Sequence, residues 1–261
     1  MNDRTLLVTG ATGVLGREVL RRAHETGCTV RALTRRTTPP DVPGAAGTDW
    51  RTGDLAANTG LDAAVIGVDT VIHCASDPKR PKNDPPALRH LLAAARRAGV
   101  RHVVNISIVG VDQVPLRYYR TKLECEETLA ASGLGWTNLR ATQFPQLLDG
   151  MLTALARLPV VPMLAGTPVQ PVHPTEVADR LVTLALGQPA GHAPDFGGPE
   201  IHPATHLATT WLRTTHRRPR RVLPLHLPGR LGTALRHGHL TTPAHPDGTT
   251  TWAAYLADRT A

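Results

Sequence analysis

The stretch Thr5-Leu6-Leu7-Val8-Thr9-Gly10-Ala11-Thr12-Gly13-Val14-Leu15-Gly16 decides the fold. Its apolar start leads straight into glycines three residues apart, and Val14, Leu15, Val19, Leu20 and Ala23 then recur at helical spacing until Gly27 ends the pattern. Strand, glycine turn and helix, in that order, make a phosphate-binding turn. Gly10 permits the tight turn, Gly13 lets the backbone approach a pyrophosphate, and Gly16 lets the helix pack near the strand. Amides of the first helical turn lack intrahelical acceptors and carry the positive end of the helix dipole, so an anion settles there. Gly10, Thr12, Gly13, Val14, Leu15 and Gly16 are therefore the candidate pyrophosphate-binding residues. Turns also need glycine for their own sake, and a purely structural turn is the competing reading.

The alternation continues along the first half. Strands are expected at Cys28 to Leu33, near Trp50, at Thr70 to His73, Val103 to Ile106 and Trp136 to Leu139. Between them, Leu88 to Ala98 and about Tyr118 to Ala131 have helical spacing. Continuously apolar strands imply helices on both sheet faces, so the expected fold is α/β, a doubly wound parallel sheet (Rossmann-like). Residues 1–140 read as the nucleotide-binding core. Residues 141–261 read mainly as a small C-terminal substrate lobe over the carboxyl edge of the sheet, with some segments returning to the core. Within that half, helical spacing marks Leu147 to Leu158, Val177 to Ala185, Leu207 to Leu212, Leu231 to Leu235 and Trp252 to Leu256. Pro159 to Pro171 reads as irregular, Val222 to Leu225 as a short strand, and Gly238 to Thr250 as a mobile loop.

Composition narrows the function classes. The 261 residues are 41% hydrophobic and 19% charged, enough apolar material for one sizeable core. The formal charge of +8 comes from scattered arginines, with only Lys79, Lys82 and Lys122 as lysines, and aromatic residues are 3% of the chain. That pattern lacks both the basic tract and the stacking platforms of a nucleic-acid binder, and leaves a general attraction for phosphate-bearing ligands. The start shows no signal-peptide pattern and the chain no long apolar run, so a cytoplasmic protein without a membrane partner is expected. Cys28, Cys74 and Cys125 share no ligand spacing and read as buried free thiols. No HExxH string or close His/Asp/Glu cluster occurs, so no metal is expected.

The end of the second strand selects the dinucleotide. An acid there receives a ribose 2′-hydroxyl, whereas a 2′-phosphate needs cations. Here stand Thr34-Arg35-Arg36, with no acid before Asp41. Arg35 offers a guanidinium fork to a phosphate, and Arg36 either assists or faces water. NADPH is preferred on this reading and NAD stays possible. Asp54 and Leu55, after the third strand, set the adenine edge; a helix-capping role for Asp54 is compatible with that.

Tyr118 and Lys122 lie four apart in Tyr118-Tyr119-Arg120-Thr121-Lys122 and face one side of a helix. A lysine ammonium there reaches the phenol and a cofactor ribose, making Tyr118 a better acid toward a carbonyl oxygen. Ser107, ending the fifth strand, offers that oxygen a second hydrogen bond. The alternative is that Lys122 only holds ribose and Tyr118 only lines the pocket.

Several strings together resemble a known group: TGATGVLG (9–16), HCAS (73–76), VVNISIVGVD (103–112), YYRTKLECEETLAASGLGWTNLRATQF (118–144) and PVHPTEVAD (171–179). They are similar to the atypical short-chain dehydrogenase/reductase superfamily, specifically its NmrA-like NAD(P)H-binding branch. The resemblance implies that Gly10, Thr12, Gly13 and Gly16 wrap the pyrophosphate, that Arg35 and Asp54 receive the adenosine end, and that Ala75 and Ser76 lie by the cofactor ribose. It places the superfamily's serine, tyrosine and lysine at Ser107, Tyr118 and Lys122. Two features depart from the family. Only ten residues separate Ser107 from Tyr118, and Asp77 to Pro86 replaces an ordinary start to the next helix with a basic, proline-rich loop.

The substrate pocket is expected beyond the sixth strand, from Gln143, Phe144, Leu147, Met151 and Met163, with Thr142, Gln146 and Leu164 beside them. The function expected from all this is NADPH-dependent reduction of a small organic carbonyl or conjugated substrate, in secondary metabolism, by a monomer or homodimer. Because the resembling branch contains redox-sensing regulators as well as reductases, a non-catalytic NAD(P)H sensor is the alternative.

Overall fold

The computed structural model describes residues 4–38, 41–215 and 220–260. In chain order the elements begin with β1 (Thr5–Thr9), α1 (Val14–Glu25), β2 (Thr29–Thr34), β3 (Asp49–Thr52), α2 (Leu61–Val65), β4 (Thr70–His73) and α3 (Asp84–Arg97). Next come β5 (His102–Ile108), α4 (Arg117–Ala130), β6 (Gly135–Ala141), α5 (Pro145–Leu155), β7 (Val160–Leu164) and β8 (Pro168–Val169). The chain continues through α6 (Pro174–Leu186), β9 (Gly191–His192), β10 (His202–Pro203) and α7 (Ala204–Thr215). It ends with β11 (Arg221–Leu225), α8 (Gly229–Arg236) and α9 (Trp252–Thr260).

A seven-stranded sheet carries the strands in the order β3-β2-β1-β4-β5-β6-β9, so the order reverses at β1, the switch point of a doubly wound sheet. The expected Rossmann-like α/β fold is thus what the chain adopts. Val8 lies opposite Ala32 of β2 and Ile72 of β4, both pairings parallel, and Thr9 lies opposite His73. This register brings the turn after β1 against the turn after β4.

The chain divides into two compact units. Unit 1 comprises Met1–Ser107, Arg120–Leu139 and Val177–Ala193. Its core joins Leu7, Val71 and Val103 of the sheet to Leu61 and Val65 of α2, Leu88 and Leu91 of α3 and Leu129 of α4. Each such side chain contributes about 1.5–3 kcal/mol by leaving water. Helix α1 packs on β1 and β2 through buried Val19, Leu20 and Ala23. Helix α6 is tied beside it by the Arg22–Asp179 ion pair at 3.0 Å.

Helix α3 starts at Asp84, so Pro85 and Pro86, expected in a loop, occupy its first turn, where a missing N–H breaks no helical bond. Helix α2 is an element that the sequence pattern did not mark; it opens after Gly60, whose φ is 72°.

Unit 2 comprises Ile108–Tyr119, Arg140–Glu176 and Pro194–Ala261. Here the expectation of irregular structure over Pro159 to Pro171 is corrected: the segment supplies β7 and β8. Strand β7 pairs in parallel with β11 and strand β8 antiparallel with β10. Prolines disguise this. Pro162 and Pro224 give no amide to a ladder, and two-stranded ribbons, all edge, tolerate them. Val161 and Met163 alternate inward, joining Leu148, Leu152, Leu207, Trp211, Trp252 and Leu256 in one core.

The expected mobile loop from Gly238 to Thr250 is corrected too, because side chains pin its backbone. The Thr242 amide donates to Gln170 Oε1 at 2.7 Å, Gln143 Nε2 donates to the Leu240 carbonyl at 2.7 Å, and Glu176 Oε1 accepts the amides of Thr249 and Thr250 at 2.8 and 2.9 Å.

Candidate functional site

In unit 1 the glycine turn is a backbone cradle. Gly10 sits at φ 68°, and a Cβ there would lie 2.7 Å from the Ala75 nitrogen. A Cβ on Gly16 would overlap the Gly10 carbonyl. The Gly13 amide donates to that carbonyl at 2.9 Å and closes the turn. Helix α1 has an extended Gly13 as its cap, no side-chain cap and no acid in its first turn. Thr12, Gly13 and Val14 are exposed at the turn, while Leu15 and Gly16 are buried beneath it. A positive helix end left uncapped, approached by backbone with no Cβ in the way, fits a dinucleotide pyrophosphate.

Arg35 and Arg36 follow β2 and are exposed. Among the described residues neither guanidinium forms an ion pair. The backbone beneath them is fixed: the Arg36 amide donates to Thr34 Oγ1 at 3.2 Å, and Thr52 Oγ1 donates to the Arg36 carbonyl at 3.2 Å. Asp54 caps a turn rather than a helix, as Oδ1 accepts the amides of Ala56 and Ala57 at 2.7 and 3.2 Å. Leu55 packs on the unit 1 core, and its carbonyl accepts a hydrogen bond from His90 Nδ1 at 2.8 Å.

After β4, buried His73 shares a 2.8 Å hydrogen bond with Thr9 Oγ1. Burial, with a smaller contribution from the charge of Lys122, pushes the imidazole down to about 3, so it stays neutral. Desolvation pushes the thiol of half-buried Cys74 up to about 12, which favours its protonated form. Ala75 lies against Gly10. Ser76 Oγ donates to Asp84 Oδ2 at 2.5 Å, and the Asp77 amide donates to Asp84 Oδ1 at 2.9 Å. Asp84 thus fixes the loop that carries Ala75 and Ser76, a role not foreseen from sequence. Its signal was an acid opening a helix ahead of a Pro-Pro pair.

Lys122 is 4% exposed, and its Nζ donates to the Ile106 carbonyl of β5 at 3.1 Å. Ser107 is buried, and among the described residues its Oγ has no hydrogen-bond partner. Nearby, Asn105 Nδ2 donates to Asn138 Oδ1 at 2.7 Å across β5 and β6. Helix α4 carries half-buried Tyr118 one turn before Lys122. The adjacent Tyr119 is buried, and that burial pushes its phenol up to about 12.

Unit 2 contains a cavity of about 350 Å³. Gln143, Met151 and Met163 of the expected pocket line it, together with Leu164. Phe144 and Leu147 do not. Phe144 caps α5, and Leu147, 67% exposed, points away while its neighbour Leu148 faces in.

Against known proteins, the profile of an NAD(P)H-binding family matches residues 10–157. The chain belongs to that family. NAD(P)H is its cofactor, and kinship supports NAD(P)H-dependent redox catalysis in general. It is related to the NmrA-like and extended short-chain oxidoreductases rather than assigned to one branch, a coarser placement than the sequence strings suggested. The (4-alkanoyl-5-oxo-2,5-dihydrofuran-3-yl)methyl phosphate reductase of Streptomyces griseus is 35% identical over 199 residues, covering 75% of this chain and 68% of that one. Quinone oxidoreductase 2 of Escherichia coli is 29% identical over 137 residues, 52% of this chain and 47% of its own length. The Escherichia coli NADPH-dependent quinone oxidoreductase complexed with NADPH superposes with a TM-score of 0.82 at 21% identity, covering 98% of this chain and 100% of that one. The Citrobacter sp. triphenylmethane reductase complexed with NADP(H) gives 0.75 at 17% identity, covering 96% and 98%. These two superpositions establish the shared fold. Among the described residues, no helix is long and apolar enough to cross a membrane.

Proposed function

We propose that this NAD(P)H-binding protein is an NADPH-dependent reductase of a small organic molecule with a carbonyl or conjugated double bond, acting in secondary metabolism. The observation that carries the cofactor preference is the exposed Arg35-Arg36 pair, free of ion pairs among the described residues, at the strand end where an acid would select NADH. The turn of Gly10, Thr12, Gly13, Val14, Leu15 and Gly16 holds the pyrophosphate, and Arg35 with Arg36 receives the 2′-phosphate. Asp54, with Oδ2 still available, and Leu55 border the adenine. Ala75, Ser76 and Lys122 border the ribose.

Bound NADPH supplies the hydride. Tyr118 donates a proton to the developing oxyanion, Ser107 Oγ hydrogen-bonds the same oxygen, and the Lys122 charge favours the phenolate that remains. If a C=C or C=N bond is reduced, Ser107 and Tyr118 orient the substrate instead. Residues 141–261 supply mainly the substrate lobe, with Gln143, Met151 and Met163 in its walls. The Streptomyces relative, named for a conjugated oxo-dihydrofuran carrying an alkanoyl group, supports that substrate class. The protein works in the cytoplasm as a monomer or homodimer.

Loss of NADPH absorbance against a panel of ketones, enones and unsaturated lactones tests the reading; no turnover on any of them, in protein that binds NADPH, overturns it. Tyr118→Phe is expected to lower kcat by about 10²–10⁴ with NADPH affinity unchanged. Unchanged kcat removes Tyr118 from proton transfer.

A further inference from the structure

The walls of the unit 2 cavity are mainly aliphatic, with Leu148, Leu152, Leu155, Leu207, Leu235 and Leu240 among them. Among the described residues, no ionisable or aromatic side chain lines it. Gln143, one of its two polar residues with Thr167, is already engaged at both ends. Its Nε2 donates to the Leu240 carbonyl at 2.7 Å, and its Oε1 accepts the Gln170 amide at 3.2 Å. The interior therefore has no countercharge for an ionic guest and no ring face for an aromatic one to stack on, and Thr167 is its one other polar residue. Met151 and Leu225 line the cavity yet are 41% and 44% exposed, which puts its mouth between α5 and β11. Leu240 belongs to the strapped segment, so one wall is held by side-chain hydrogen bonds rather than by a ladder.

We propose that this cavity takes the straight, saturated alkyl or acyl chain of a ligand and measures its length. At roughly 30 Å³ per small-molecule unit in a liquid, its volume holds a chain of about ten heavy atoms. Recognition is by burial alone, so each methylene adds a constant increment until the far wall is reached. That the chain belongs to the substrate rests on the reductase reading; that the cavity binds chains does not.

The test is calorimetry of wild-type protein with the 1-alkanols from butanol to decanol, beside NADPH titrations of the same sample. Kd is expected to tighten about threefold to fourfold per methylene, then level off once the cavity is full. 2-Phenylethanol is expected to bind more weakly than 1-octanol, which has the same carbon number. Ala204→Leu, placed in the wall, moves the plateau to a shorter alcohol. A flat alcohol series, or tighter binding of the aromatic alcohol, overturns the proposal whatever NADPH does. A steep series in protein that reduces no panel compound leaves chain binding standing and overturns the reductase reading alone.

Discussion

The cradle in unit 1 is made of main chain: three glycines, an uncapped helix start and the Ala75 nitrogen close behind Gly10. The cavity in unit 2 is made of side-chain ends, contributed by α5, β7, α7, β11, α8 and the strap around Leu240. Adding a single carbon to the first site obstructs it, while the identities of the surrounding side chains matter little. Exchanging one aliphatic residue for another in the second alters shape but not chemistry. A backbone site is therefore specific for a charge pattern, and a side-chain cavity for a volume.

The sharpest way to break this contrast is Gly16→Ala, whose added carbon meets main chain that cannot give way, the Gly10 carbonyl and the Ala11 Cα. Overpacking is expected to cost about 1–3 kcal/mol of stability, and the displaced turn is expected to weaken NADPH about tenfold to hundredfold by calorimetry, with the alcohol series of unit 2 unmoved. Equal NADPH affinity in the variant would show that the glycine spacing has no part in binding.

Gln170→Ala probes the other unit. Its amide group is fully buried and holds the Thr242 amide and the Gly198 carbonyl, each at 2.7 Å. Each orphaned partner costs about 1–3 kcal/mol, and a chain of this size loses roughly 2–4 °C of Tm per kcal/mol. Calorimetric melting should show that drop, and hydrogen exchange should localise it to residues 238–250. An unchanged melt returns the segment to the free loop that its composition suggested.

A smaller effect tests the boundary between backbone and side-chain recognition. Arg35→Ala is expected to weaken NADPH about tenfold, the worth of one charge-assisted hydrogen bond, and to leave NADH alone. Equal weakening of both nucleotides counts against a phosphate-reading arginine.

Near neutrality the smallest effect is that of pH, and the two units should answer acid differently. His73 is held neutral by burial down to about 3, whereas an unfolded imidazole gains its proton near 6.5. Unit 1 therefore loses stability progressively as pH falls from 6.5 toward about 3. In unit 2, burial works to raise the Glu176 carboxyl, but hydrogen bonds from Thr249 and Thr250 outweigh it and hold the group below its usual 4.5. That contribution is complete above 4.5 and drains only below it. Amide exchange between pH 7 and 4 should loosen sheet residues before the strap. The reverse order would contradict the assignment of these two groups.

How much was legible follows from the same contrast. The cradle is a contiguous string, and conformation there depends on the residues themselves, so Gly10, Gly13 and Gly16 could be read directly. The alternation of strands and helices likewise follows from apolar runs punctuated by Gly27 and Gly99. The cavity gathers Gln143 and Leu240, nearly a hundred positions apart, and no local pattern announces such a meeting. Helix α5 is apolar on more than one side, so periodicity could not say that Leu148 faces in and Leu147 out. Pro162 and Pro224 masked the β7–β11 pair, and the hydrogen bonds of Gln143, Gln170 and Glu176 gave order to a segment whose composition reads as loop.

The path of the chain between the units also constrains how the protein can be made. After Glu176 the polypeptide supplies Val177–Ala193 to unit 1, including most of α6 and the edge strand β9, before returning at Pro194. No nascent fragment ending earlier holds the whole of unit 1. On the ribosome, Leu181 and Ala185 reach their buried places only after well over half the chain has emerged. Until then the apolar surface awaiting them is a site for chaperones or for aggregation.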